Sequence, residues 1–421
     1  MKKFSSVFGK SWSGTTILCF FILVFSVTSF AQDGEKDHRY GGYARLYSMG
    51  NNPYIVDPDN IKLNPAYSSM YQNFLWGDIG SSVANPSDGY GQFAAINYGF
   101  NKEFTVGLLL TRNDFMPSYS IGALDSRNLV GQINGSVAGA NIVPMDNNFE
   151  LFGAYDLGSL VLGLGLAYAS TTNEYKPDAG AGDKNSASQF GVNAGLLGSL
   201  SSNFKFDAAV SLVLPSATYE PGATGADKVE ASNTDFMVNA RGFWRLSNKV
   251  SLVPNVAFYN STGSYKVGAQ SFDLPSWTGI LIGFGLHYRV GDLLIAGGPS
   301  FMYESETIAS TEISPEEKNS WTTFPAWNLG AEWYLTDWLI GRLGYVASTY
   351  SYTYQTQATI STVDERTFTN FDRGDVRLGV GFRFGGFTLD ATVNDDALRE
   401  GFNLIGGGTH TFAYLSASYA F

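Results

Sequence analysis

Large apolar residues alternate with small or polar residues along most of the chain beyond residue 72. In the segment 159–168 every second residue is leucine or tyrosine, and the residues between them are mostly glycine, alanine or valine. A repeat of two predicts a β-strand whose side chains point alternately to opposite faces. This strand therefore has one large apolar face and one face of small residues.

Charged residues fall on the second face. Lys205 and Asp207 alternate with apolar residues in one segment, and Arg377 and Arg383 do so in another. An apolar exterior around a polar interior predicts a transmembrane barrel. A water-soluble β-sandwich is the alternative, and it would turn its charged face to solvent.

The pattern predicts an all-β fold, a transmembrane antiparallel β-barrel of about 14–16 strands. The strands begin near Gln72, and each holds roughly 9 to 13 residues, enough for a tilted membrane span. Short connections at one end and longer polar loops at the other are typical of outer-membrane barrels. The predicted longer loops lie near residues 112–147, 170–187, 215–232, 261–275, 305–320, 351–372 and 395–408. Six tryptophans near strand ends are predicted interfacial anchors: Trp244, Trp277, Trp321, Trp327, Trp333 and Trp338.

Both termini favour the bacterial outer membrane. Residues 1–31 combine lysines, an apolar run and a small-x-small site, which predicts a secretory signal peptide. The last segment alternates up to Tyr419 and the terminal Phe421, which we interpret as the signal that the barrel-assembly machinery reads. This strand needs a partner, and the first strand of the same sheet would close the barrel.

Composition narrows the function. The chain has 26 basic and 38 acidic residues, a net charge of −12, and loss of three signal-peptide lysines makes it about −15, which disfavours nucleic acid as a partner. The single cysteine, Cys19, lies in the signal peptide. His38, His287 and His410 form no catalytic or metal-binding pattern. We therefore expect no enzymatic activity, no cofactor and no metal.

Residues 32–71 precede the barrel, predicted as 72–421, and do not alternate. They carry Arg45, then Tyr47, Ser48 and Gly50, then an acidic segment with Asp57 and Asp59, then Asn64-Pro65-Ala66. This order resembles the start of FadL-type long-chain fatty-acid transporters. The resemblance is specific over about forty residues; in the rest of the chain it rests on barrel pattern and length.

The resemblance implies an N-terminal plug, or hatch, inside a 14-stranded barrel that delivers hydrophobic molecules through a lateral opening. Independently of the family, Asn64-Pro65 favours a turn, because proline restricts the residue before it and asparagine can bond the following backbone. A periplasmic linker is the alternative for this segment.

Alternation places six cations on the inner face, mostly near the short turns, as candidate lumen and substrate-binding residues: Lys205, Arg241, Arg245, Arg289, Arg342 and Arg383. Acidic residues face inward as well, so a structural lattice of ion pairs is one interpretation. The other is that some cations pair with Asp57 and Asp59, or with a substrate carboxylate in transit.

These features predict an outer-membrane channel for passive passage of hydrophobic compounds, such as long-chain fatty acids, through a plugged barrel. Its partners would be outer-membrane lipid and hydrophobic small molecules. A PorV-like component that binds a protein partner during secretion is an alternative, and a simple porin is another. An apolar pocket between plug and wall would favour the transporter.

Overall fold

The computed structural model describes residues 39–80, 92–112, 120–178, 180–311, 314–371, 374–393 and 412–421. The predicted signal peptide and the first residues of the predicted plug lie outside these ranges. No helix within them is both long and apolar enough to cross a membrane.

Helices are few. They are α1 (Tyr43–Ser48), two 3-10 helices (Pro58–Lys62 and Pro65–Tyr71) and α2 (Leu129–Ser136). The strands are β1 (Phe74–Gly80), β2 (Gln92–Gly99), β3 (Phe104–Arg112), β4 (Asn147–Asp156), β5 (Leu160–Glu174), β6 (Lys184–Ser201), β7 (Phe204–Glu220), β8 (Val229–Arg245), β9 (Val250–Val267), β10 (Gln270–Val290), β11 (Leu293–Ile308), β12 (Glu317–Tyr334), β13 (Leu339–Thr359), β14 (Thr362–Phe371), β15 (Asp375–Phe384), β16 (Phe387–Val393) and β17 (Phe412–Ala420).

The strands form one closed antiparallel sheet. Each described strand pairs with its neighbours in the chain, except that β14 and β15 do not pair with each other, and β1 pairs with both β2 and β17. The strands β14 and β15 lie end to end along β13, so the barrel has 16 strands in circumference. Closure leaves no open edge, as a strand in lipid requires. The count matches the alternation pattern and exceeds the 14 strands that the family resemblance implies.

The barrel wall is uneven in height. Strands β5 to β13, which we call the tall side, hold 15 to 21 residues each, whereas β15 to β17 and β1 to β4, the short side, hold 7 to 10. Several predicted loops were therefore wrong, because much of 170–187, 215–232, 261–275, 305–320 and 351–372 continues the sheet. These extensions have polar side chains on both faces, so the alternation of apolar and polar residues does not identify them as strands.

The outer face carries the large apolar side chains. On β5 the exposed side chains are Leu162, Leu164, Leu166 and Tyr168, and the residues between them are more buried. Trp244, Trp327, Trp333 and Trp338 are 39 to 55% exposed, compatible with anchoring. The other two predicted anchors were wrong. Trp277 and Trp321 stack on each other on the inner face, where Trp277 also meets Arg127.

Two inserted segments fill the barrel. The N-terminal segment from residue 39 to 71, which we call the plug, packs Ile61, Tyr67 and Tyr71 against inner-face Phe74 and Trp76. At the opposite end, residues 120–146, which we call the inserted loop, pack Leu129, Ile133 and Ile142 against small inner-face residues. The core of this barrel therefore lies between these segments and the wall.

Candidate functional site

The plug turns sharply at two capped helices. Asp57 caps the first 3-10 helix: its side chain accepts from the backbone nitrogen of Asp59, and its own backbone nitrogen donates to Asn60 Oδ1. Asn64 caps the second helix by accepting from the nitrogen of Ala66, and Pro65 begins it. A proline at the first helical position costs no hydrogen bond, and an asparagine or aspartate before it satisfies a free N–H group. The Asn64-Pro65 turn thus forms as its residue types favour.

Wall glycines receive the plug. A methyl group added at Gly163 would lie 2.1 Å from the Ala66 nitrogen, and one at Gly344 would lie 2.4 Å from the Gly50 nitrogen. Such distances are shorter than any tolerated contact, so backbone lies directly on backbone. The other wall glycines with plug atoms within 2.7 Å of an added methyl are Gly195, Gly283, Gly285, Gly330 and Gly379. They contact Asn64, Tyr54, Met49 and Ser48.

A buried ion-pair network, which we call the latch, joins plug and wall. Arg45 donates to both oxygens of Glu332, at 2.8 and 3.0 Å, and to Asp57 at 2.9 Å. Arg342 donates to Glu332 at 2.7 Å and to Asp390 at 2.6 Å. Burial raises the pKa of Asp57 to about 7, and the Arg45 guanidinium opposes this rise. Because a buried charge without a partner is costly, the latch holds Arg45 in place.

Arg241 reaches from β8 into the plug. Its guanidinium donates to the backbone oxygens of Pro53 and Ile55, both at 3.0 Å, and pairs with Asp207 at 2.9 Å. Tyr67 donates to the same Asp207. A wall arginine therefore binds the plug through its carbonyl groups.

The plug acids pair within the plug. Asp57 pairs with Arg45, and Asp59 lies 3.1 Å from the Lys62 ammonium. The expected pairing of wall cations with Asp57 and Asp59 is therefore not the arrangement present. Instead a plug cation, Arg45, binds the wall acid Glu332. Alternation could place Glu332 on the inner face, but it could not show which plug residue lies opposite.

The six candidate lumen cations take different positions. Arg241 and Arg342 are engaged by the plug and the latch. Lys205, Arg245 and Arg289 lie within a few residues of the short turns, and Arg289 is exposed. Arg383 lies over the plug ring of Tyr40, 5.0 Å from its centre.

A different cation lies at the plug surface that faces away from the short turns, and we call that end of the barrel the upper end. Tyr43 and Tyr47 of α1 meet Tyr414 of β17, with ring centres 5.0 to 5.9 Å apart. The Arg377 guanidinium lies 4.1 Å from the centre of the Tyr47 ring. We call these four residues the tyrosine cluster. Alternation placed Arg377 inside but did not distinguish it from the other cations, because Tyr47 and Tyr414 are 367 residues apart in sequence.

Part of the hydrogen-bonding capacity of the Arg377 side chain is not used by any described residue. Its Nε pairs with Asp375 at 2.6 Å, but its buried Nη1 has no hydrogen-bond partner among the described residues. A buried guanidinium nitrogen lacking an acceptor is costly. The tyrosine cluster thus offers an apolar surface beside an N–H group that can donate to an anionic or polar group.

The inserted loop closes the upper bore on the tall side. The Gln189 side chain donates to the Ala123 oxygen at 2.7 Å and accepts from the Asp125 nitrogen at 3.0 Å. Ile121 lies against Gly191, where an added methyl group would be 2.7 Å away. The predicted polar loop at 112–147 is therefore partly an apolar insertion.

No protein-family model and no curated protein matches the chain. Among solved structures, it is similar to the toluene transporter TodX of Pseudomonas putida, with 12% identity, 92% of this chain and 99% of TodX covered, and a TM-score of 0.39. It is also similar to the toluene transporter TbuX of Ralstonia pickettii, with 9% identity, 91% of this chain and 99% of TbuX covered, and a TM-score of 0.35. The chain also matches the iron transporter FrpB of Neisseria meningitidis at 9% identity and a TM-score of 0.38, with 78% of this chain covered, and it spans 62% of that protein's length. Likeness at this level assigns neither a substrate nor a mechanism.

The location follows from the wall itself. The sheet is closed, its outer face exposes leucine, phenylalanine and tryptophan, and its inner face carries buried charges. Water would make such an outer face unstable, whereas lipid covers it. The chain is accordingly a plugged β-barrel of the bacterial outer membrane.

Proposed function

We propose that this barrel passes hydrophobic compounds, including long-chain fatty acids, across the outer membrane without an open aqueous bore. The tyrosine cluster carries the proposal, since it presents aromatic rings and Arg377 Nη1 above a tightly packed plug. Rings suit the apolar part of such a molecule, and a guanidinium suits a carboxylate.

The filled lower bore supports the same function. Tyr67, Phe74 and Trp76 are buried there at no more than 3% exposure, and the latch adds charged contacts. Ions would have to pass a packed core, which disfavours a simple porin. The tyrosine cluster instead offers a hydrophobic solute an apolar surface.

Uptake into liposomes tests the proposal. The refolded protein should take up a labelled long-chain fatty acid saturably while showing little ion conductance in planar bilayers. A large steady conductance would indicate a porin, and absence of both signals would point to a protein-docking role.

Arg377→Gln tests the fatty-acid assignment. Loss of the guanidinium should slow uptake of the acid by about tenfold and of the matching alcohol much less, since charge-assisted hydrogen bonds contribute more than neutral ones. Lys249→Gln also removes one positive charge, from an exposed position in a short turn, and should leave both rates unchanged. Equal slowing of acid and alcohol by Arg377→Gln would remove the carboxylate role.

A further inference from the structure

A continuous array of five aromatic rings lines the inner face of the tall side near its upper end. Trp277 and Trp321 stack at 5.0 Å between ring centres, and Trp321 stacks on Tyr352 at 5.0 Å. Tyr352 then stacks on Tyr354 at 5.5 Å, and Tyr354 on Phe368 at 5.8 Å. We call these five residues the aromatic array.

The array runs from the mouth of the barrel into the bore. Phe368, on the β13–β14 hairpin, is 53% exposed, whereas Trp277 and Trp321 are half-buried. The inner end is covered by Arg127 of the inserted loop, whose guanidinium lies 5.1 Å from the Trp277 ring. A planar molecule can therefore approach from the outer end.

Two features define the chemistry that the array accepts. The buried Nε1 of Trp277 has no acceptor among the described residues. The carboxylates of Glu304 and Glu306 lie directly opposite Trp321 and Trp277 in the sheet. Glu304 accepts from Tyr259 and Glu306 from Asn319. The indole N–H favours a ligand with an acceptor atom. Two carboxylates against the single Arg127 guanidinium leave a net negative charge, which disfavours an anion.

We propose that the aromatic array is a binding site for neutral, planar, fused-ring aromatic compounds that carry a hydrogen-bond acceptor. Stacking between neighbouring strands accounts for the ring-to-ring contacts, but it leaves the Trp277 N–H without an acceptor. A ligand oxygen supplies that acceptor while its rings contact the array. Aromatic pairs gain free energy beyond their buried area, so unsaturated rings bind better than saturated ones.

Equilibrium dialysis of the refolded protein in micelles tests this, with protein-free micelles subtracted. The probes are 2-naphthol, its saturated analogue decahydro-2-naphthol, and the anion 2-naphthoate. We expect 2-naphthol to bind at least about threefold more tightly than either of the others. Equal binding of 2-naphthol and decahydro-2-naphthol would overturn the proposal, and so would preferred binding of 2-naphthoate.

A matched pair of variants on β12 locates the site. Trp321→Leu should weaken 2-naphthol binding about threefold or more, and Trp321→Phe, which keeps a ring, should retain most of it. Trp327→Leu removes a lipid-facing indole from the same strand and should bind as the native protein does. Heat-induced shifts in gel mobility check that each variant is folded. If Trp321→Leu folds and binds normally, the array is not the site.

This inference goes beyond the proposed function and does not depend on passage through the barrel. Dialysis in micelles measures binding alone, whereas liposome uptake measures transport. If the native protein takes up fatty acid but does not bind 2-naphthol, the proposed binding site is overturned and the proposed transport function stands. If it binds 2-naphthol but takes up no fatty acid, the binding site is supported and the proposed transport function is overturned.

Discussion

Glu332 is the residue through which plug and wall are most directly coupled. Its two oxygens accept from Arg45 of the plug, Arg342 of β13 and the Tyr40 hydroxyl. The sequence could place Glu332 and Arg342 on the inner face by alternation. It could not reveal that Arg45, 287 residues earlier, is the third member, because no local pattern encodes that contact.

Glu332→Gln tests the latch. Removing one charge leaves two buried guanidiniums near each other, and breaking a buried pair typically costs about 3–5 kcal/mol. We expect the free energy of unfolding, measured by urea in lipid vesicles, to fall by that order. Glu230→Gln breaks the exposed Lys228–Glu230 pair and should cost less than about 1 kcal/mol. Similar losses in the two variants would contradict a structural latch.

At the scale of single elements, the glycine-rich faces of the strands are where the plug lies. Alternation predicted a small-residue face on β5, and the structure places the second 3-10 helix against it. The identity of that partner was given only by the family resemblance of residues 45 to 66. A face of small residues predicts that another segment packs closely against it, but it does not identify that segment.

Gly163→Ala probes this contact. The added methyl group would meet the Ala66 nitrogen at 2.1 Å, so the second 3-10 helix has to move away from β5. We expect planar-bilayer conductance to rise above that of the native barrel as the packed bore loosens. Gly135→Ala, in α2 of the inserted loop, has open space around the new methyl group and should not change conductance. A rise in the control alone would place the constriction in the inserted loop.

Gln189 fixes the inserted loop by bonding three of its backbone groups. Gln189→Ala leaves these groups without a partner inside the barrel, which costs about 1–3 kcal/mol per group. Trypsin should then cleave after Arg127 faster than in the native protein. Gln270→Ala, at an exposed position of β10, supplies the control and should leave the cleavage rate unchanged. Unchanged cleavage in Gln189→Ala would mean that apolar packing alone holds the loop.

At the scale of the whole molecule, the strands of the tall side are longer than a bilayer requires. The outer face of β5 is apolar from Leu160 to Tyr168, and beyond that its outward residues are Ser170, Thr172 and Glu174. A membrane band is about 25 Å tall, so the upper part of the tall side extends outside lipid. The repeat of two, the closed barrel and its compartment could be predicted from sequence. The tall side could not, because strands with two polar faces resemble loops.

The fluorescence of the β12 tryptophans can test which part of this strand lies in lipid. Trp327 and Trp333 are lipid-facing on β12, whereas Trp321 lies on the inner face of the same strand above a bulge between Thr323 and Ala326. In variants that retain a single tryptophan, brominated lipids should strongly quench the fluorescence of Trp327 and Trp333, because bromine quenches by contact. Trp321 should be quenched several-fold less. A water-soluble quencher such as acrylamide should give the opposite order, since Trp321 faces the mouth of the bore. Equal lipid quenching at Trp321 and Trp327 would place both indoles in the membrane band, which would require the register of β12 to shift by one residue across the bulge.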